Sequence, residues 1–253
     1  PERAIRRDVP MTNVIRRAFE AGTRDRTGRP GPNYWQFQTD YTINARLDPA
    51  TQTITGTERI VIQNNSPAEL RQIMLRLDHN IYRATIQRGS SVPAETTEGM
   101  VVSSISVDGG AVDLTASPFG GRGRGGAPPA QTGGGAGSAS PRVTVSGLQD
   151  TLARINLATP VAAKSSVTLE IAWHTKLPGG PGGQGHRMTQ RWDDTLFQPT
   201  QWYPRVAKYD DLRGWDTNPY LGPAEFYNNF GRFDVRLDVP AGWIVSGTGV
   251  LQN

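Results

Sequence analysis

The sequence predicts an all-β protein: an antiparallel, saddle-like β-sandwich preceded by a short helical arm. Three observations predict it. From Tyr34 onward apolar residues recur with period two, the signature of half-buried strands. Turn formers punctuate the chain, with 29 Gly and 19 Pro among 253 residues. No strand–helix–strand alternation appears, so a parallel sheet with a nucleotide-binding crevice is not expected.

Residues 1–30 form the arm, where Thr12 or Asn13 is placed to cap a helix through Val14, Ile15, Ala18 and Phe19 that ends near Gly22. Its narrow apolar stripe needs something to dock on. Residues 31–253 form the β domain. Tyr41, Ile43, Ala45 and Leu47 alternate with polar residues, Asp48-Pro49-Ala50-Thr51 turns the chain, and Ile54, Glu58, Ile60 and Ile62 return to Asn64-Asn65-Ser66-Pro67. Ile73, Leu75 and Leu77 make the next run, with Met74 and Arg76 facing the other way. Val101 to Val107, a Gly109-Gly110 turn and Ala111 to Leu114 read as a hairpin. Residues 117–141 lose all periodicity, and nine of the 29 glycines fall between Gly120 and Gly137, as in a flexible insertion. Strands resume at Val143 to Val145, Ala153 to Leu157 and Val167 to Trp173, followed by a glycine–proline loop, Pro178 to Gly185. Phe233 to Pro240 alternates cleanly, and Trp243-Ile244-Val245 reads as the start of another strand.

Composition narrows the function. The chain has no cysteine, which excludes a thiol nucleophile, a disulfide framework and Cys-ligated zinc. The arm holds eight Arg against four acidic residues, which accounts for the whole +4 net charge and leaves a neutral body. A nucleic-acid domain carries its charge on the folded face that meets phosphate, so nucleic acid is not an expected partner. The tract Arg122-Gly123-Arg124-Gly125-Gly126 lacks interleaved aromatics and reads as linker. No stretch approaches the roughly 18 consecutive apolar residues of a membrane span. The opening Pro1-Glu2 reads as a processed or trimmed product, and an extracytoplasmic location, periplasmic or secreted, is expected.

Chemistry-bearing motifs are sparse. His79, His174 and His186 are the only histidines, and none sits at metal-ligand spacing from another. They read as three surface imidazoles. Ser246 lies in a strand–turn rather than a nucleophile elbow. The pairs Asp193-Asp194 and Asp210-Asp211 read as turn residues, because adjacent carboxylates on a strand face opposite ways. No catalytic residue and no metal site is expected in this chain.

One segment carries a specific resemblance. Thr195-Leu196-Phe197-Gln198-Pro199-Thr200-Gln201, running through Trp202-Tyr203-Pro204-Arg205 to Tyr209-Asp210, is similar without gaps to the Thr-Gln-Phe-Glu-Pro-Thr-Asp signature of the aminopeptidase N family of zinc metallopeptidases, the gluzincin aminopeptidases. Thr195, Phe197, Pro199, Thr200 and Asp210 match it. Leu196 stands where the family usually has Gln, and Tyr203-Pro204 replaces an Arg pair. Glu225-Phe226-Tyr227, Gly231 to Val235 and Val239 to Trp243 resemble the strand that precedes the family's catalytic domain.

The resemblance implies an N-terminal β domain that covers a thermolysin-like catalytic domain. Zinc, the zinc ligands and the general base would belong to that domain, and the sequence stops about where it should begin. The resemblance also implies a role for Gln198, which stands at the family's Glu, the residue that helps hold the free α-amino group of a peptide substrate. A carboxylate adds charge attraction to an ammonium; an amide offers only its carbonyl oxygen. The alternative is a strand glutamine bonded to neighbouring backbone. Trp202, Tyr203, Trp215, Tyr220 and Phe226 are expected to dock the next domain, with a substrate or sugar cleft and simple core packing as alternatives. Two other classes stay open: a stand-alone β-sandwich that binds carbohydrate or protein through Trp202 and Trp215, and a scaffold relative without peptidase activity.

Overall fold

The computed structural model describes residues 10–89, 95–115, 142–179, 191, 192 and 194–252. Arg3, Arg6 and Arg7 of the arm, the Gly-rich insertion at 117–141, most of the loop Pro178 to Gly185, His186 and Asp193 lie outside the described residues.

The arm folds as its capping residues predict. Helix α1 (Asn13–Glu20) begins after Thr12, whose hydroxyl accepts from the Ile15 amide, and it buries Ala18. Gly22 takes φ +70° just beyond it. Arg24 then donates to both oxygens of Asp211 at 2.9 and 2.8 Å, tying the arm to the far end of the chain. Burial alone, the largest single influence, would raise the Asp211 carboxyl, but hydrogen bonds from Arg24 and Thr23 and the Arg24 charge together outweigh it and hold the group below its usual range.

The first sheet grows from a long hairpin. Strands β1 (Gln38–Asp48) and β2 (Thr53–Gln63) pair residue for residue from Gln38–Gln63 to Asp48–Thr53. Asp48 accepts from the Ala50 amide and the Thr51 hydroxyl, closing the turn. At the other end the buried Asn64 side chain donates to the carbonyls of Ala68, Val161 and Ala162. Strand β3 (Leu70–Arg76) leaves for the second sheet. After it come β4 (Met100–Val107), β5 (Gly110–Ala111), β6 (Thr144–Ser146), β7 (Leu152–Val161) and β8 (Ser166–Lys176). The β4–β5 turn places Asp108 and Gly109 at φ +47° and +81°, so the predicted hairpin forms but its second strand ends at Ala111.

Short strands fill the last third: β9 (Arg191–Trp192), β10 (Leu196–Phe197), β11 (Arg205–Val206), β12 (Tyr209–Asp210), β13 (Gly214–Trp215) and β14 (Phe233–Asp238). One sheet has the order β14-β1-β2-β8-β4-β5, and the other β11-β3-β7-β6. Their inner faces meet in one core, with Ile43, Ile60 and Leu169 from the first sheet and Ile73, Leu75 and Ile155 from the second. The chain is the predicted all-β sandwich.

Met74 is buried on the face of β3 opposite Leu75, outside the main core, and its carbonyl accepts from the Ala207 amide of the segment after β11. The structure corrects three expectations. The strand β14 pairs with β1 in parallel, from Tyr41–Phe233 to Arg46–Asp238, whereas the other named strand pairs are antiparallel. The chain returns to the β1 edge by a long crossing segment rather than a hairpin, and that permits the parallel register. Trp243-Ile244-Val245 forms no strand, since Pro240 and Gly242 at φ +89° turn the backbone first. His79 is not a surface imidazole but fully buried, in a 3-10 turn (Asp78–Tyr82) whose five residues are all buried.

Candidate functional site

The segment that carries the family resemblance is clamped at several points. Arg191 starts the β9–β10 hairpin and donates to the Leu177 carbonyl at 3.2 Å and to Glu95 at 3.1 Å. Glu95 also accepts from the Gly179 amide at 2.7 Å and pairs with Lys176 at 3.0 Å. At the hairpin turn Gln52 donates to Asp194 at 3.0 Å. Beyond β10, Gln198 precedes Pro199, a position biased toward extended backbone. The Thr200 carbonyl accepts from His79, and Gln201 sits at φ +53°, a left-handed conformation that costs a non-glycine residue of the order of 1 kcal/mol. Trp202 then packs edge-on against Trp173 at 5.7 Å and Tyr203 at 5.2 Å.

Gln198 projects from this fixed backbone. It is exposed, outside any strand, and makes no hydrogen bond among the described residues. Its neighbours Phe197 and Pro199 line a groove of about 150 Å³, shared with Ile54, Leu237, Val239 and Trp243. Phe197 and Trp243 pack 5.3 Å apart, joining the loop to the segment after β14. The arrangement presents an amide oxygen and its NH2 to solvent between two residues that wall an apolar groove.

The five singled-out aromatics fall in three places. Trp202 and Tyr203 lie together on the core, Tyr203 reaching Tyr41 at 5.7 Å and Phe233 at 6.3 Å. Trp215 is half-buried against Phe37 and Tyr209, at 5.5 and 4.8 Å. Tyr220 is buried with Ile81 and Tyr82 and stacks on Phe226 at 5.0 Å. Arg205 faces the Phe226 ring at 5.5 Å and pairs with the buried Asp78. The structure therefore divides the five, with Trp202, Tyr203 and Trp215 packed on the main core and Tyr220 with Phe226 beside Ile81 and Tyr82. The large apolar side chains that do face solvent are elsewhere: among the described residues, eleven of twelve lie at or after Leu196, including Phe233, Val235 and Leu237 on β14.

The described histidines do not fit a zinc site. His79 has both ring nitrogens engaged, Nδ1 with the Thr175 hydroxyl at 3.0 Å and Nε2 with the Thr200 carbonyl at 2.9 Å. Burial pushes its pKa down to about 4, partly opposed by the Thr200 hydrogen bond. His174 Nε2 lies 3.0 Å from Glu98, on the face of β8 opposite Thr175. Among the described residues, no three His, Asp or Glu side chains gather as ligands. Asp210 accepts from the Leu212 and Arg213 amides, as a turn residue does.

Sequence reading missed several buried polar groups, Glu58 and His79 among them. Glu58 is 3% exposed, and among the described residues neither of its carboxylate oxygens has a hydrogen-bond partner. It shares parity on β2 with the inward-facing Ile54, Gly56, Ile60 and Ile62, and that parity was its signal. His79 lies in the 3-10 turn Asp78–Tyr82, where strand parity no longer applies and all five residues are buried, so no alternation in the sequence marked it.

Fold and site together define an all-β sandwich domain with a clamped polar loop beside an apolar groove. No family model and no curated protein matches the sequence. Solved structures similar to it include an M1 zinc metallopeptidase from Deinococcus radiodurans, at 13% identity and a TM-score of 0.42, covering 88% of this chain and 37% of that one. A variant of an M1 zinc metallopeptidase from the same organism, bound to a Tyr-Ser-Ala substrate, gives 12% identity and 0.42, over 89% of this chain and 38% of that one. A two-domain M1 zinc metallopeptidase variant bound to L-arginine gives 13% and 0.43, with 89% and 38% covered. This chain thus spans under two fifths of the length of those proteins. So distant a likeness carries no side-chain role across.

Proposed function

We propose that this chain is the N-terminal β domain of an aminopeptidase-N-like zinc metallopeptidase, working outside the cytoplasm. It packs on a catalytic domain that holds the zinc, and it lends Gln198 to the N-terminus of a peptide substrate. The observation that carries this reading is the placement of Gln198. Within a segment similar without gaps to the family signature, the residue at the amine-binding position is exposed, unpartnered and set on a clamped loop. The alternative, a strand glutamine whose amide is taken up by neighbouring backbone, has no support among the described residues, and the exposed amide is free to meet a ligand.

The exposed apolar residues at and after Leu196 support a covering partner for those segments, since a monomer gains nothing from leaving them in water. Trp202 and Trp215 are largely packed into the domain, so no observation favours a stand-alone glycan-binding module. In the full-length protein, Gln198→Ala is expected to lower kcat/KM for free-amino peptides about tenfold, the worth of one hydrogen bond to a charged group, and to leave N-acetylated peptides little changed. Equal losses on both substrates would remove the amine-binding role.

A further inference from the structure

The strongest unused feature is the buried chain of contacts that ends on the signature loop. His79 has no exposed surface and stands at the start of the 3-10 turn Asp78–Tyr82, with the Tyr82 ring edge-on at 5.7 Å. Its Nε2 meets the Thr200 carbonyl at 2.9 Å, and its Nδ1 meets the Thr175 hydroxyl at 3.0 Å. That hydroxyl is itself 3.0 Å from the Gly99 carbonyl. Thr175 is fully buried on β8, the strand at the centre of the larger sheet. A line of polar contacts therefore runs from the β8 core through one imidazole to the backbone two residues beyond Gln198.

Donor and acceptor chemistry fixes the direction of that line. A carbonyl only accepts, so the neutral ring must carry its proton on Nε2 and leave Nδ1 as an acceptor. Three contacts then share two protons, because the one Thr175 hydroxyl proton serves either Nδ1 or the Gly99 carbonyl. The bond to Thr200 is the one that never lacks a proton. The loop needs such a fixture: Gln201 holds a left-handed backbone that a free loop would relax, and a strained residue persists only where its surroundings over-determine it.

We infer that His79 is a positioning residue: its Nε2–H holds the Thr200 carbonyl, fixes the loop Gln198–Trp202, and so sets where the Gln198 amide is presented. The inference rests on the reading of Gln198 given above for its catalytic meaning, but its structural content stands on this chain alone. His79 touches no reacting atom.

The test separates positioning from filling of space. His79→Gln retains an N–H that reaches Thr200 and an oxygen that accepts from Thr175, whereas His79→Phe fills the cavity with no donor. Amide hydrogen exchange at Gln198 and Thr200 to Tyr203 would be followed in this chain, with core amides on β2 and β8 reporting global stability. The expected result is exchange about tenfold faster in His79→Phe, beyond any change in the core amides, and near wild-type exchange in His79→Gln. If His79→Phe does not fold, His79→Leu reports on the same bond, removing the donor with a smaller apolar side chain, with loop exchange again raised. Loop exchange that merely tracks the core amides in these variants, or fails to recover in His79→Gln, overturns the inference. A second readout in the full-length protein distinguishes the two readings. Loosened exchange with an unchanged preference for free-amino over acetylated peptides sustains the positioning by His79 and defeats the amine-binding role of Gln198 instead.

Discussion

Glu58 sits where a carboxylate costs most. It lies between Ile43 and Ile171 on neighbouring strands, and burial raises its pKa well above the ordinary carboxylate value. A raised folded pKa means that the native state keeps a proton which the unfolded chain releases. The stability linked to that proton is complete below the unfolded value and is lost as pH rises toward the folded one. Urea midpoints from pH 5 to 8 should therefore fall in the wild type, with a slope of up to about 1.4 kcal/mol per pH unit from this group, and stay flatter in Glu58→Gln. Parallel pH profiles for the two proteins would show that Glu58 is ionised or hydrated in the fold. Glu58 was legible in principle, since its parity with apolar neighbours on β2 pointed inward, whereas His79 sits in a 3-10 turn where strand parity does not apply. Their chemistry pointed outward, and burial is decided by tertiary packing that parity alone cannot weigh.

At the scale of elements, the hairpin β1–β2 was readable because local rules agree there: alternation, an Asp-led turn and an Asn-rich closure all point to the same structure. The edge strand β14 was readable as a strand but not in its direction, because parallel pairing is set by a contact between distant segments. That contact depends on Gly231. A Cβ there would lie 1.6 Å from the Thr39 carbonyl oxygen, while the adjacent Phe230 and Arg232 carbonyls accept from the Thr39 and Tyr41 amides at 2.9 and 2.8 Å. Gly231→Ala should push β14 off the β1 edge at a cost of about 1–3 kcal/mol. The check is hydrogen exchange at Thr39 and Tyr41, expected to lose protection while β8 keeps its own. Unchanged protection would mean that the edge relaxes around the methyl group.

Across the whole molecule, two sheets close over one core and leave the late segments with their apolar side chains in water. The loop 197–202 is held from beneath by His79, from the hairpin by Arg191 and Glu95, and from the core by Trp202. The motif was visible in the sequence; the clamps were not, since the His79–Thr200 and Glu95–Arg191 contacts join residues 121 and 96 positions apart. The aromatics show the converse: their clustering in the sequence suggested one face, yet Trp202, Tyr203 and Trp215 pack on the main core while Tyr220 and Phe226 stack together beside Ile81 and Tyr82. The measurement closest to the proposed amine-binding role is the substrate preference of Gln198→Glu in the full-length protein. Restoring a carboxylate at an exposed position should raise kcat/KM for free-amino over acetylated peptides about fivefold, the scale of one partly screened charge interaction. An unchanged or lowered ratio would contradict it.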